Sequence, residues 1–241
     1  MSDTTDAAGV MYTLEGDVAV VRLDDGKANA VSHDLIKAIE AALDRAAGEA
    51  GSVLIVGRPG KFSAGFDLKA MTASAESAQA LVSAGARMLV KIFTHPQPVL
   101  VACTGHALAA GALMLLAADR RLCAEGPYKV GLNEVAIGLR LPIFAVELAR
   151  ERLSKRHFTA ATTFARIYDP AGACAAGYVD DVLPEAELYD RALAEAAEAA
   201  KLSADAFADT KAPARQPLAD RILETLDADM ASLVPPTAVG K

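Results

Sequence analysis

Glu134 is the residue of this sequence best suited to moving a proton. It stands in 131-GLNEVAIGL-139 among Leu132, Val135 and Ile137. A carboxylate desolvated by such neighbours holds its proton more tightly, as a base working near neutral pH requires. Two further stretches could stabilise the negative charge that proton removal creates. The first, 60-GKFSAGFDLKAM-71, carries Gly65 amid small residues after an apolar run; the second, 104-TGHALAAGA-112, does the same with Gly105, Ala109, Ala110 and Gly111. A strand-to-helix turn exposes unpaired backbone N–H groups, and small residues let a ligand come close to the backbone. Read singly, each stretch is also an ordinary connection or a tightly packed helix start, and Glu134 is also a helix-start glutamate facing solvent. Two such turns after neighbouring strands can aim one N–H each at a single carbonyl oxygen.

Other reactive residue types form no comparable set. His33, His95 and His157 have no nucleophile or carboxylate at a useful spacing, and His106 reads as a turn or packing residue inside the second stretch. No Ser-His-Asp arrangement is supported, and Ser63 does not lie in a nucleophile elbow. Arg140 could face a pocket, although a surface arginine is the favoured reading. Cys103, Cys123 and Cys174 are widely spaced and read as buried free thiols. Neither a metal-ligand cluster nor a dinucleotide fingerprint is present in the text.

The elements that must position these residues follow from periodicity. Segments 17–24, 52–57, 98–103 and 120–125 read as buried strands, and 128–135 as a short one. Between them lie helical stretches: one capped by Ser32 with Leu35, Ile36, Ile39 and Leu43 on one face, an Ala-rich one through 93, and an all-apolar one over 105–119. Strands alternating with helices imply parallel crossovers and an α/β fold. The text is helical almost throughout from Pro184, with a break expected at 213-PARQP-217. A main domain over 1–183 and a helical C-terminal region over 184–241 are expected.

The chain has 241 residues, a formal net charge of −7, 53% hydrophobic residues and no Trp. An acidic chain gives no electrostatic footprint for nucleic acid, and no apolar run reaches the roughly 20 residues that span a bilayer. A cytoplasmic protein without membrane or nucleic-acid partners is expected.

Taken in order and with their intervals, 61-KFSAGFDLKAM-71, 105-GHALAAGA-112 and 130-VGLNEVAIGL-139 resemble the enoyl-CoA hydratase/isomerase, or crotonase, family. The resemblance implies a core of repeated ββα turns in two sheets, a helical C-terminal part, and assembly as a homotrimer or hexamer; the Leu and Ile faces of 218-LADRILETLDADMASL-233 read as an oligomer interface or as packing on their own subunit. It implies an acyl-CoA thioester as substrate in fatty-acid metabolism, with no cofactor beyond the coenzyme A that the substrate carries. The oxyanion donors fall on the N–H groups of Phe66 and Ala110, within turns formed by Gly65 and Gly111. The Ala64 carbonyl would meet the adenine amine, and Lys27, Lys61 and Arg58 are candidates for the phosphates. Glu134 matches one of the two glutamates of a typical hydratase. The position of the other is occupied by Leu113. A single base suffices for a 1,3-proton shift, so isomerisation of 3-enoyl-CoA to 2-enoyl-CoA is the expected reaction, and GLNE with a non-acidic residue at 113 also resembles the Δ3,Δ2-enoyl-CoA isomerases. Hydration of 2-enoyl-CoA remains the alternative, with Asp67, Asp119 or Glu125 as a second acid, although the two aspartates read as capping or anchoring residues. Other crotonase chemistries and a non-catalytic acyl-CoA-binding subunit also stay open.

Overall fold

The computed structural model of the chain describes residues 4–5 and 8–233. Its larger sheet runs in the order β1 (Thr4–Thr5), β2 (Val10–Glu15), β3 (Val18–Leu23), β4 (Ser52–Val56), β6 (Val99–Cys103), β8 (Arg120–Ala124) and β10 (Asp181–Leu183). The first three strands pair antiparallel and the rest parallel. A smaller parallel sheet holds β5 (Gly60–Ser63), β7 (Gly105–Leu108) and β9 (Val130–Gly131).

The helices are α1 (His33–Glu49), α2 (Leu68–Met71), α3 (Ala75–Thr94), α4 (Ala110–Ala117), α5 (Ile143–Arg152), α6 (Lys155–Thr162), α7 (Pro170–Ala176), α8 (Glu185–Ala199) and α9 (Ala204–Ala231). Three times in succession a strand of the large sheet is followed by a strand of the small sheet and then by helix: β4 and β5, β6 and β7, β8 and β9. This is the repeated ββα core, with the helical C-terminal part following it.

The large sheet is buried on both faces, which explains strands as uniformly apolar as VLVAC. On one face Val18, Val20, Leu54, Leu100 and Leu122 pack against Leu188, Ala192 and Ala196 of α8. On the other, Val21, Val53, Ile55 and Val101 meet the main core, to which α1, α3, α4 and α5 contribute Ile39, Leu89, Met114 and Leu148. Ser32 caps α1 as its sequence predicts, accepting the Leu35 N–H at 3.2 Å.

Several segments differ from the sequence expectation, beginning with β2 and β10, where no strand was expected. The stretch before Gly65 is strand β5, where a loop was expected, and 105–108 is strand β7, so the buried helix begins at Ala110 and not at Gly105. Both strands are only four residues long, too short for a period of two to stand out against small apolar neighbours. The short strand expected over 128–135 is confined to Val130–Gly131, and Glu134 lies beyond it. Finally, α9 runs unbroken through Pro213 and Pro217. Both prolines lie on its exposed side, where the carbonyls that lose a partner meet water. The opposite side is pinned through Asp119, whose two carboxylate oxygens take Lys211 Nζ at 2.6 Å and Arg215 Nη2 at 2.8 Å. Ala219, Ile222, Leu226 and Met230 continue that buried face, and the helix packs on α3 and α5 of its own chain.

Candidate active site

The first turn is built from buried side chains that the motif text does not advertise. Asn29, fully buried and at φ 49°, donates from Nδ2 to Leu23 O at 2.8 Å and Phe62 O at 3.0 Å, and accepts the Asp25 N–H on Oδ1 at 3.0 Å. Ser63 Oγ donates to Asn29 O at 2.7 Å and accepts the Gly65 N–H at 3.3 Å. This fastens the end of β5 to the chain that leaves β3. The backbone pairs Ala64 N–H to Ala28 O, Val31 N–H to Gly65 O and Asp67 N–H to Val31 O complete the seam. The Phe66 N–H, flanked by these bonds, donates to no group of the described residues.

The second turn is arranged likewise. Ala109 N–H donates to Gly131 O at 3.0 Å, and Ala110 then opens α4 with its own N–H unpaired among the described residues. Ala109 itself sits at φ 49°, ψ −121°, a conformation that costs a residue with a Cβ on the order of 1–3 kcal/mol. The two turns touch. A Cβ on Gly65 would lie 2.7 Å from the Ala109 Cβ and 3.5 Å from the Ala110 nitrogen, and one on Gly111 would lie 2.5 Å from Ser63 O. Gly111 is therefore dictated by the nearby backbone, and Gly65 by its φ of 95° together with the Ala109 methyl against it.

These turns border a cavity of about 250 Å³, lined by Ala64, Phe66, Ala109, Asn133 and Glu134. Met71, Val82, Leu113, Phe144 and Leu233 supply apolar walls. Glu134 opens a single turn of 3-10 helix over Val135–Ile137, and its carbonyl accepts the Ile137 and Leu139 N–H groups. Its Oε2 is buried without a hydrogen-bond partner, as is the neighbouring Oδ1 of Asn133. Burial away from any compensating charge pushes the Glu134 carboxyl up to about 7. Leu113, 2% exposed, occupies the cavity wall one turn into α4.

The other carboxylates weighed as a second acid do not line this cavity. Asp67 caps α2 by accepting the Lys69 N–H at 2.9 Å. Asp119 holds the Val99 N–H together with Lys211 and Arg215, and Glu125 is exposed at the end of β8. Both aspartates thus have the anchoring roles expected of them. His106 accepts the Lys129 N–H on Nδ1 at 3.0 Å and meets Tyr128 edge-on, which is the packing role.

Of the cations, Lys27 and Lys61 are exposed near the first turn, whereas Arg58 is engaged by Asp24 at 3.3 Å and by Lys27 O at 2.9 Å. Arg140, favoured as a surface arginine, lines the cavity and joins Asp229 near the end of α9 at 2.7 Å. A partner 89 residues away leaves no trace in local spacing. Neither residue type nor spacing marks Asn29 or Leu233, whereas Asn133 directly precedes Glu134.

Among the described residues no helix is long and apolar enough to cross a membrane. A sequence profile of the enoyl-CoA hydratase/isomerase family matches residues 13–239. An enoyl-CoA hydratase/isomerase family protein from Pseudomonas syringae superposes with a TM-score of 0.92 at 42% identity, over 94% of this chain and 98% of that one. An enoyl-CoA isomerase from Mycobacterium tuberculosis does so with a TM-score of 0.89 at 34% identity, over 95% and 100%; another structure describes the same mycobacterial protein as a probable hydratase. The human mitochondrial enoyl-CoA delta isomerase 1 is 28% identical over 222 residues, 90% of this chain and 74% of the relative. A match running nearly end to end, with structural relatives more than a third identical over almost their full length, means that this chain belongs to the enoyl-CoA hydratase/isomerase family of acyl-CoA enzymes.

Proposed function

We propose that this enzyme isomerises 3-enoyl-CoA to 2-enoyl-CoA, with Glu134 as its single acid–base group. The observation that carries this reading is that Glu134 is the one carboxylate lining the cavity among the described residues, while Leu113 fills the wall that a second acid would need. In the reaction, Glu134 removes the C2 proton, which the thioester has made acidic. The N–H groups of Phe66 and Ala110 hold the thioester oxygen as negative charge spreads over the dienolate. Glu134 then returns the proton to C4, and the double bond moves from C3–C4 to C2–C3. A carboxyl held near 7 is half ionised close to neutral pH, so it can both take and return a proton there. Each oxyanion donor lowers the barrier by about 3 to 4 kcal/mol.

Coenzyme A would lie along the first turn. The exposed Ala64 would offer its carbonyl to the adenine amine, with Lys27 and Lys61 near the phosphates and Arg58 less available because Asp24 already engages it. Gly65 and Gly111 would keep the turns close enough to share one oxygen, and Leu113 would contact the acyl chain. No metal or redox group is assigned to the reaction. A cytoplasmic homotrimer or hexamer, with 184–241 as the helical part behind the 1–183 core, completes the proposal.

A second reading, hydration of 2-enoyl-CoA, draws on the unpartnered Asn133 Oδ1 beside Glu134, since two acceptors in an apolar cavity could hold a water. The test is ultraviolet absorbance of the conjugated thioester, followed with 3-enoyl-CoA and, separately, with 2-enoyl-CoA. Conjugation of the first that is lost in Glu134→Gln supports isomerisation. Faster loss of conjugation from the second, also dependent on Glu134, would replace it with hydration.

A further inference from the structure

The last turn of α9 contains Asp229 and no basic residue, although a helix C-terminus favours cations; Asp227, just before it, is met by Arg87 of α3 at 3.4 Å. The missing cation comes from the loop that carries Glu134. Arg140 reaches Asp229 Oδ1 with Nη1 at 2.7 Å, and with Nη2 it donates to the Asp229 carbonyl at 2.7 Å and to Ser232 Oγ at 2.8 Å. The second oxygen of Asp229 accepts the Ile143 N–H at 2.7 Å. Asp229, 6% exposed, therefore grips both ends of the short span from Arg140 to Ile143. That span continues a loop whose residues 135–138 are exposed, so on its C-terminal side the Glu134 loop is tied through Asp229, while β9 and the buried Leu132 hold its N-terminal side. Two residues beyond α9, Leu233 is 6% exposed and lines the cavity, with its carbonyl taking Gln79 Nε2 at 3.4 Å.

We infer that Arg140 and Asp229 form a latch that positions the Glu134 loop and holds Leu233 in the cavity as the residue limiting the length of the acyl chain. The inference rests on the acyl-CoA reading of the cavity. Shortening Leu233 lengthens the apolar space, and each further methylene then buried adds affinity. Releasing the latch does the same indirectly, because Leu233 then keeps the Gln79 bond and its own N–H bond to Met230 O but loses the anchoring of Asp229 and Ser232 beside it.

The test uses the full chain and saturated acyl-CoA thioesters of butanoyl, octanoyl and dodecanoyl length, with binding read by calorimetry so that no turnover is required. The expected result is that Leu233→Ala improves dodecanoyl-CoA binding about tenfold relative to butanoyl-CoA, that Leu233→Trp moves the preference the other way, and that Arg140→Met follows Leu233→Ala. Arg140→Lys, which keeps the charge but not the fork, should fall between Arg140→Met and the parent. An unchanged chain-length profile in both Leu233 variants, with butanoyl-CoA still bound, overturns the latch alone. Binding of no thioester by the parent protein overturns the acyl-CoA reading and the latch with it.

Discussion

Gly65 and Ala109 meet so closely that a methyl group on Gly65 would stand 2.7 Å from the Ala109 Cβ. The contact joins two turns that leave β5 and β7, adjacent strands of the small sheet. A second tie holds the strained alanine at φ 49°: its N–H bond to Gly131 O fixes the turn from β9, the strand on the other side of β7.

Relieving that strain should stabilise the protein. Ala109→Gly removes the cost of a Cβ at positive φ and adds back some chain entropy, for a net gain of about 1 kcal/mol and a rise of about 2–4 °C in Tm. A thermal melt checks this, and an equal or lower Tm would show that the Ala109 methyl contributes more by packing than it costs in strain.

Glu134 makes activity and stability depend on pH in opposite senses. Proton removal needs the carboxylate, so kcat/KM should rise with pH through about 7 and level off above it. The folded-state pKa lies above the ordinary 4.5, so the folded chain binds the proton more tightly than the unfolded one. Stability is then fully present below about 4.5 and is lost as pH rises through about 7, by on the order of 3 kcal/mol. Glu134→Gln should abolish that loss, making the variant the more stable protein at pH 8 while its turnover falls by about 10²–10⁴-fold. Parallel denaturant titrations of the two proteins at acid and alkaline pH read the difference directly, and equal slopes against pH would exclude the buried carboxyl as its source.

Leu113→Glu would put a second carboxyl on the cavity wall. Like charges disfavour ionisation of both groups, so the rising limb of the pH–rate profile should move to higher pH. Isomerisation at neutral pH should fall and hydration of 2-enoyl-CoA should increase from its parental level. Rates measured with both substrates across pH decide the matter; an unmoved limb would mean that positions 113 and 134 do not sense each other.

Asn29→Ala removes the donor to Leu23 O and Phe62 O and the acceptor for the Asp25 N–H. Leaving these buried backbone groups unpaired should cost about 3 kcal/mol. Because the seam also holds residues 64–66, KM for the thioester should rise as well. Chemical denaturation and steady-state kinetics test the two effects separately, and a stable variant with an unchanged KM would show that Ser63 alone secures the turn.

Local pattern carried much of the frame. The apolar runs at 52–57 and 98–103 are the buried parallel strands β4 and β6, and Ser32 caps α1, because these features depend on neighbours in the chain. Strands β5 and β7 escaped because four residues hold barely two periods. The expected break at 213–217 failed for a tertiary reason: Lys211 and Arg215, on either side of Pro213, are held by Asp119 from the end of α4.

The sequence by itself determined the small residues that bring two turns together and the leucine at 113, since backbone clearance follows from residue type; the desolvation of Glu134 does not, because its neighbours Val135 and Ile137 are exposed and the apolar walls come from Val82 of α3, Leu113 of α4 and Phe144 of α5. Tertiary structure alone decided what those turns rest on and what closes the cavity. Asn29 stitches segments more than 30 residues apart, and Arg140 and Asp229 meet across 89. Side chains at such separations are brought within 3 Å by packing of the sheets and of α9, and no local periodicity encodes it.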